Sequence, residues 1–120
     1  LLSLSLGLLS ANILIVNNYR DYEQDKAARK RTTIVLFGRT FGLLAYLLNG
    51  ILAFLITLPL LMDASPWLVC LFAAFSVLFA ATWLEMKHYQ GRELNRTLGH
   101  TARNVFIYAV LLSIVLLFGS

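Results

Sequence analysis

Asp21 and Asp25 are two carboxylates one helical turn apart, with Asn17 a turn earlier on the same stripe and Lys26, Arg29, Lys30 and Arg31 close behind. Like charges at this spacing repel by about 0.2–0.5 kcal/mol unless something positive lies between them. A hard cation such as Mg2+ suits the pair, because it takes one or two carboxylates and completes its shell with waters and phosphate oxygens. Arg20, Lys30 and Arg31 then provide cations for a diphosphate, the arginines as planar forks and the lysine as a point charge. Such parts serve the departure of a diphosphate leaving group. The same spacing also fits a solvated loop in which Asp25 pairs with Arg29, a contact contributing a few tenths of a kcal/mol.

The elements that must position these residues are membrane helices. Of 120 residues, 59% are hydrophobic and 13% are charged, too apolar for an ordinary soluble domain. Residues 41–62 and 64–84 contain no charged side chain, and each approaches or exceeds the ~20 residues that cross a bilayer as a helix. Residues 1–18 and 104–119 are shorter apolar stretches near the lower limit. The expectation is therefore an all-α integral membrane bundle, one membrane domain over 1–120 with four transmembrane helices, joined by polar loops at 19–40 and 85–103.

Those two loops carry all ten Lys and Arg, six and four respectively, while the connection at Asp63 to Pro66 carries none. Alternate loops share a side, so the positive-inside rule places both basic loops in the cytoplasm. Carboxylates interleave with the basic residues, which disfavours nucleic acid as a partner. Leu1 opens the chain inside an apolar run with no basic leader, so the chain reads as part of a longer polypeptide.

Cys70 is expected to be a small core residue. His88 and His100 have no partners at ligand spacing and are expected to be interfacial and solvated, and Trp67, Trp83 and Tyr89 to anchor helix ends at the headgroups. Asn49 lies mid-helix, where an amide is costly in hydrocarbon, and should face the bundle interior. Pro59 should kink the second long helix or help to end it. Asn95-Arg96-Thr97 matches a glycosylation acceptor by chance, given its cytoplasmic placement.

The order Asn17-Asn18-x-Arg20-Asp21-x-x-x-Asp25, then Lys30-Arg31-Thr32 and Gly38, resembles the second aspartate-rich motif of the UbiA prenyltransferase superfamily. Within it the sequence is most similar to the 1,4-dihydroxy-2-naphthoate polyprenyltransferases of menaquinone synthesis, and Leu94-Asn95 through Thr101-Ala102-Arg103 resembles their last loop. The resemblance implies the C-terminal portion of a helix bundle of about nine helices in a bacterial inner membrane. Its active site faces the cytoplasm, and a missing N-terminal half supplies the other aspartate-rich loop. Mg2+ on a polyprenyl diphosphate, ionisation to an allylic cation and attack by the aromatic acceptor with loss of carbon dioxide and pyrophosphate would give demethylmenaquinone.

Carried over residue by residue, Asp21 and Asp25 are the metal ligands, Asn17 a supporting oxygen, and Arg20, Lys30 and Arg31 the diphosphate partners, with Asn18 a weaker choice. Some of Tyr46, Phe54, Phe72, Phe75 and Phe79 could line a prenyl cavity, although packing or lipid contact explains each as well. Relatives commonly place Gly where this chain has Arg29, and the first aspartate-rich motif is absent, so these residues alone are expected not to catalyse prenyl transfer. The alternatives are an aromatic prenyltransferase acting on 4-hydroxybenzoate, or a small non-enzymatic membrane protein that holds partners or anionic lipid through its basic loops.

Overall fold

The computed structural model describes residues 2–63, 65–89 and 91–118. The expected helix ends at Leu1, Ala64 and Gly119 lie outside them. Six α-helices follow in order: α1 (Leu2–Arg20), α2 (Tyr22–Ala27), α3 (Thr33–Phe37), α4 (Arg39–Met62), α5 (Pro66–His88) and, after a 3-10 turn at Gly91–Glu93, α6 (Leu94–Phe118). There is no strand among the described residues.

The four long helices form an up-down-up-down bundle. α1 packs on α4 and α6, and α5 packs on α6 and, less closely, on α4. Buried positions recur at steps of three and four: Ser5, Leu9, Asn12, Val16 and Tyr19 on α1; Leu94, Thr97, Thr101, Asn104 and Tyr108 on α6. That spacing keeps one face toward the bundle axis over many turns.

Polar and apolar residues are distributed as lipid demands. Ser5, Asn12, Thr57, Thr82, Thr97, Thr101 and Asn104 are buried, whereas Leu14, Val77, Phe106 and Leu117 are 61%, 69%, 70% and 73% exposed. Lipid chains solvate the outer leucines, while the inner hydroxyls and amides must find partners. They do: Asn12 donates to the Tyr46 carbonyl at 3.2 Å and accepts from Asn49 at 2.9 Å. Tyr46 meets Thr101 at 2.9 Å, and Asn104 donates to Thr82 at 2.9 Å. Near the other end, Tyr108 donates to Ser5 at 2.8 Å and also meets Thr57. Asn49 thus faces inward as its cost in hydrocarbon requires.

Among the described residues three helices, α4, α5 and the Gly91–Leu117 stretch, are long and apolar enough to cross a membrane. The sequence suggested four such spans, and the difference lies in α1. Its 19 residues include Asn12, Asn17, Asn18 and Arg20, which lower its hydropathy, and of these Asn12 binds Tyr46 of α4 and Arg20 binds Asn95 of α6. At 24 residues, α4 reaches about 36 Å, more than the ~30 Å of a hydrocarbon core.

Helix boundaries depart from the apolar runs because a helix does not stop where hydrocarbon does. α6 begins at Leu94, ten residues before the apolar stretch, and α5 runs on to His88. Most of the expected 19–40 loop is also helical, as α2, α3 and the ends of α1 and α4. Pro59 neither ends nor interrupts α4, which continues to Met62. Cys70 is exposed on the outer face of α5 instead of sitting in the core. Trp83 also departs from expectation: its indole N–H donates to the Leu43 carbonyl at 2.9 Å, tying α5 to α4.

Candidate diphosphate and metal site

Both basic connections lie at the same end of the bundle, and the acidic stripe lies between them. α1 passes into α2 with only a slight break at Asp21 (φ −91°, ψ 10°). The backbone keeps helical register through it, Asp21 N–H donating to Asn17 O at 3.1 Å and Asp25 N–H to Asp21 O at 2.8 Å. Asn17, Asp21 and Asp25 therefore stay on one stripe, as their spacing indicated.

After Asp25 the chain closes in a Schellman turn. Lys30 N–H donates to Asp25 O at 2.8 Å and Arg29 N–H to Lys26 O at 3.1 Å. The residue at the turn's left-handed position is Arg29, at φ 62°. Glycine adopts that conformation without penalty, so Arg29 holds the turn at a cost that glycine would not carry. The turn leads to Thr32, whose hydroxyl accepts from Val35 N–H at 3.1 Å and caps α3, and then to Gly38 at φ 95°, where α3 gives way to α4.

The two carboxylates differ in their surroundings. Arg20 forks onto Asp21, with Nε to Oδ1 at 2.9 Å and Nη2 to Oδ2 at 3.2 Å. The same guanidinium donates to Asn17 Oδ1 at 2.5 Å and, through Nη1, to Asn95 Oδ1 at 2.8 Å. The hydrogen bonds from Arg20 hold the Asp21 carboxyl below the usual carboxylate range; partial burial opposes this, and the charges of Arg20 and Lys30 add to it. Arg20 is correspondingly stabilised as a cation, chiefly by its hydrogen bond to Asp21. Asp25 has no side-chain partner among the described residues, and no Asp25–Arg29 ion pair forms. Lys30 and Arg31 are exposed and unpaired among the described residues.

Arg20 is thus engaged inside the protein, whereas Lys30 and Arg31 are free to meet an incoming anion. Among the described residues no group of three or more His, Cys, Asp or Glu side chains could hold a metal ion. The donor set is two carboxylates and an amide, which suits a magnesium ion that draws its remaining ligands from phosphate oxygens and water.

The structure adds residues that the sequence did not mark. Asn95 clamps Arg20 across 75 positions, a contact set by the bundle and invisible in local spacing. Its neighbour Thr97 is fully buried and donates to Glu85 at 3.3 Å, so the glycosylation triplet is structural. His100, partly exposed, also has a partner that local spacing does not show: its Nδ1 lies 2.9 Å from Glu85, joining the end of α5 to the start of α6. His88 remains exposed. Arg39, at the start of α4, lies over the Tyr19 and Tyr22 rings.

Beneath this end, between α4 and α5, lies an apolar cavity of about 240 Å³. Phe54, Phe72, Phe75 and Phe79 line it, with Thr57 and Tyr108 among its few polar groups. Phe79 stacks on Tyr46 at 5.2 Å, and Tyr108 packs against Phe75 at 5.5 Å.

The sequence model of the UbiA prenyltransferase family matches residues 1–110. No curated protein and no solved structure matches the chain. The chain belongs to the UbiA prenyltransferase family, a membrane family whose activity is prenyl transfer.

Proposed function

We propose that this UbiA-family chain moves a polyprenyl group from its diphosphate to 1,4-dihydroxy-2-naphthoate at a site on the cytoplasmic side of a bacterial inner membrane. The observation that carries the reading is the unbroken stripe Asn17–Asp21–Asp25, set beside unpaired Lys30 and Arg31 and above an aromatic-lined apolar cavity. Polar head and apolar tail of a prenyl diphosphate would then each meet surroundings of their own kind.

In this proposal Asp21 and Asp25 hold Mg2+, with Asn17 as a supporting oxygen. Bound there, the metal supplies positive charge against the departing pyrophosphate. Lys30 and Arg31 bind its oxygens on the water side. Arg20 keeps Asp21 ionised and oriented until the diphosphate arrives, and then exchanges part of its contact with Asp21 for a phosphate oxygen. The apolar cavity excludes water from the allylic cation, and its aromatic faces stabilise the positive charge. The new carbon–carbon bond forms at the ring carbon that carries the acceptor's carboxylate. Loss of that group as carbon dioxide returns its bonding electrons to the ring.

A second aspartate-rich loop, from sequence preceding Leu1, completes the site in this proposal. The experiment is prenyl transfer by the full-length protein with each of two acceptors, 1,4-dihydroxy-2-naphthoate and 4-hydroxybenzoate, with Mg2+ or with EDTA. Metal-dependent turnover of the naphthoate is expected. Turnover of 4-hydroxybenzoate alone would move the acceptor assignment to the ubiquinone branch, and turnover undiminished by EDTA would refute the metal site.

A further inference from the structure

Arg39 is a cation that the protein has placed and then left unused. Its guanidinium carbon lies 4.5 Å from the centroid of the Tyr19 ring and 5.9 Å from that of Tyr22. Tyr19 is only 4% exposed and belongs to the packed core, so the platform beneath the arginine is rigid. Yet no N–H of Arg39 has an acceptor among the described residues, and its Nε is buried without a partner. A buried donor left unsatisfied costs about 1–3 kcal/mol, more when the group is charged.

A second cation lies near the Tyr22 ring. Lys26 Nζ lies 5.6 Å from the centroid of the Tyr22 ring and likewise has no carboxylate partner among the described residues. Tyr22 directly follows Asp21, so the pair stands beside the acidic stripe. Two like charges share one ring, and an anion would relieve both their repulsion and the orphaned Nε. Nor does any side chain cap α4, whose N-cap is Gly38, so the positive end of its dipole adds to the field. Arg20 presents the opposite case, with its donors shared among Asp21, Asn17 and Asn95.

Resting on the prenyl diphosphate reading, we infer that Arg39, assisted by Lys26 on the Tyr19–Tyr22 platform, is an anion-binding residue that takes phosphate oxygens of the diphosphate. Arg20 remains chiefly the internal partner of Asp21 and gives only part of that contact to the ligand. The ring faces take the place of the carboxylate that would otherwise compete for the guanidinium.

The test uses full-length protein in a phospholipid-free detergent and measures inorganic pyrophosphate binding by calorimetry, with EDTA present so that metal does not contribute. Arg39→Gln is expected to weaken binding about ten- to hundredfold, as the loss of charge-assisted hydrogen bonds implies. Arg39→Lys should restore part of it and Lys26→Gln should give a smaller loss. In turnover, Arg39→Gln should raise KM for the prenyl diphosphate and leave KM for the aromatic acceptor and the melting temperature unchanged.

Unchanged pyrophosphate affinity, or a lower melting temperature with KM intact, would overturn the inference and mark Arg39 as structural. A deficit that appears only in vesicles containing phosphatidylglycerol would overturn it in favour of a lipid phosphate. Asp25→Asn separates this inference from the functional reading: if that variant keeps its turnover the reading fails, while the metal-free binding result still decides Arg39 by itself.

Discussion

Gly50 faces Phe79 across the α4–α5 contact so closely that a methyl group has no room. A Cβ built there would lie 2.1 Å from Cζ of Phe79 and 2.4 and 2.7 Å from its two Cε atoms. The ring must swing into the adjoining cavity, losing its 5.2 Å stack on Tyr46. Loss of an aromatic pair costs about 0.5–1.5 kcal/mol, and an off-rotamer χ adds about 0.5–1.5 kcal/mol. Alanine's advantage over glycine in a helix offsets about 0.5–1 kcal/mol. Gly50→Ala should therefore destabilise the protein by up to about 2.5 kcal/mol and reduce the room left for a prenyl tail. Gly99→Ala is the control, since its Cβ would meet nothing within 4 Å, and it should be neutral or stabilising. Denaturant unfolding in one detergent compares the two, and prenyl transfer with short and long donors reports the cavity. If Gly50→Ala matches Gly99→Ala in stability and Phe79→Leu brings no recovery in the Gly50→Ala background, the packing argument is wrong.

Arg29→Gly should raise stability by up to about 1 kcal/mol by relieving a left-handed residue at φ 62°, read as a higher unfolding midpoint. Asn12→Ala removes the bridge to both Tyr46 and Asn49, and should cost about 1–2 kcal/mol in the same unfolding assay. The depressed Asp21 carboxyl contributes stability that is fully present above its unfolded value, about 3.9. That contribution is lost as pH falls through the lower folded value. Unfolding midpoints measured from pH 5 down to pH 3 should therefore fall more steeply for the parent than for Asp21→Asn.

The acidic stripe was legible because it depends only on helical register, which the backbone preserves from Asn17 to Asp25. The all-helical, membrane-spanning class and the grouping of basic residues at one end followed from hydropathy and charge, both of which act along the chain. What faces the bundle axis was harder to read, because an apolar side chain suits lipid and core equally; Cys70 was misplaced for this reason. Asn49 was placed correctly because an amide has only one tolerable direction. Contacts across the bundle left no local trace. Asn95 on Arg20 and Glu85 on His100 arise from how antiparallel helices register, and Arg39 shows its meaning only once Tyr19 and Tyr22 lie against it. The early start of α6 was missed because polarity marks the membrane edge, not the end of a helix.

Asp25 gives the most direct test of the central claim, because its carboxylate touches no other side chain among the described residues. Asp25→Asn changes the charge while leaving every observed contact in place. In the full-length protein, magnesium-dependent prenyl transfer should fall by at least a hundredfold, about 2.7 kcal/mol of transition-state stabilisation, with the melting temperature unchanged. Turnover within a few-fold of the parent at saturating Mg2+ would contradict the assignment of the acidic stripe to the metal and its diphosphate.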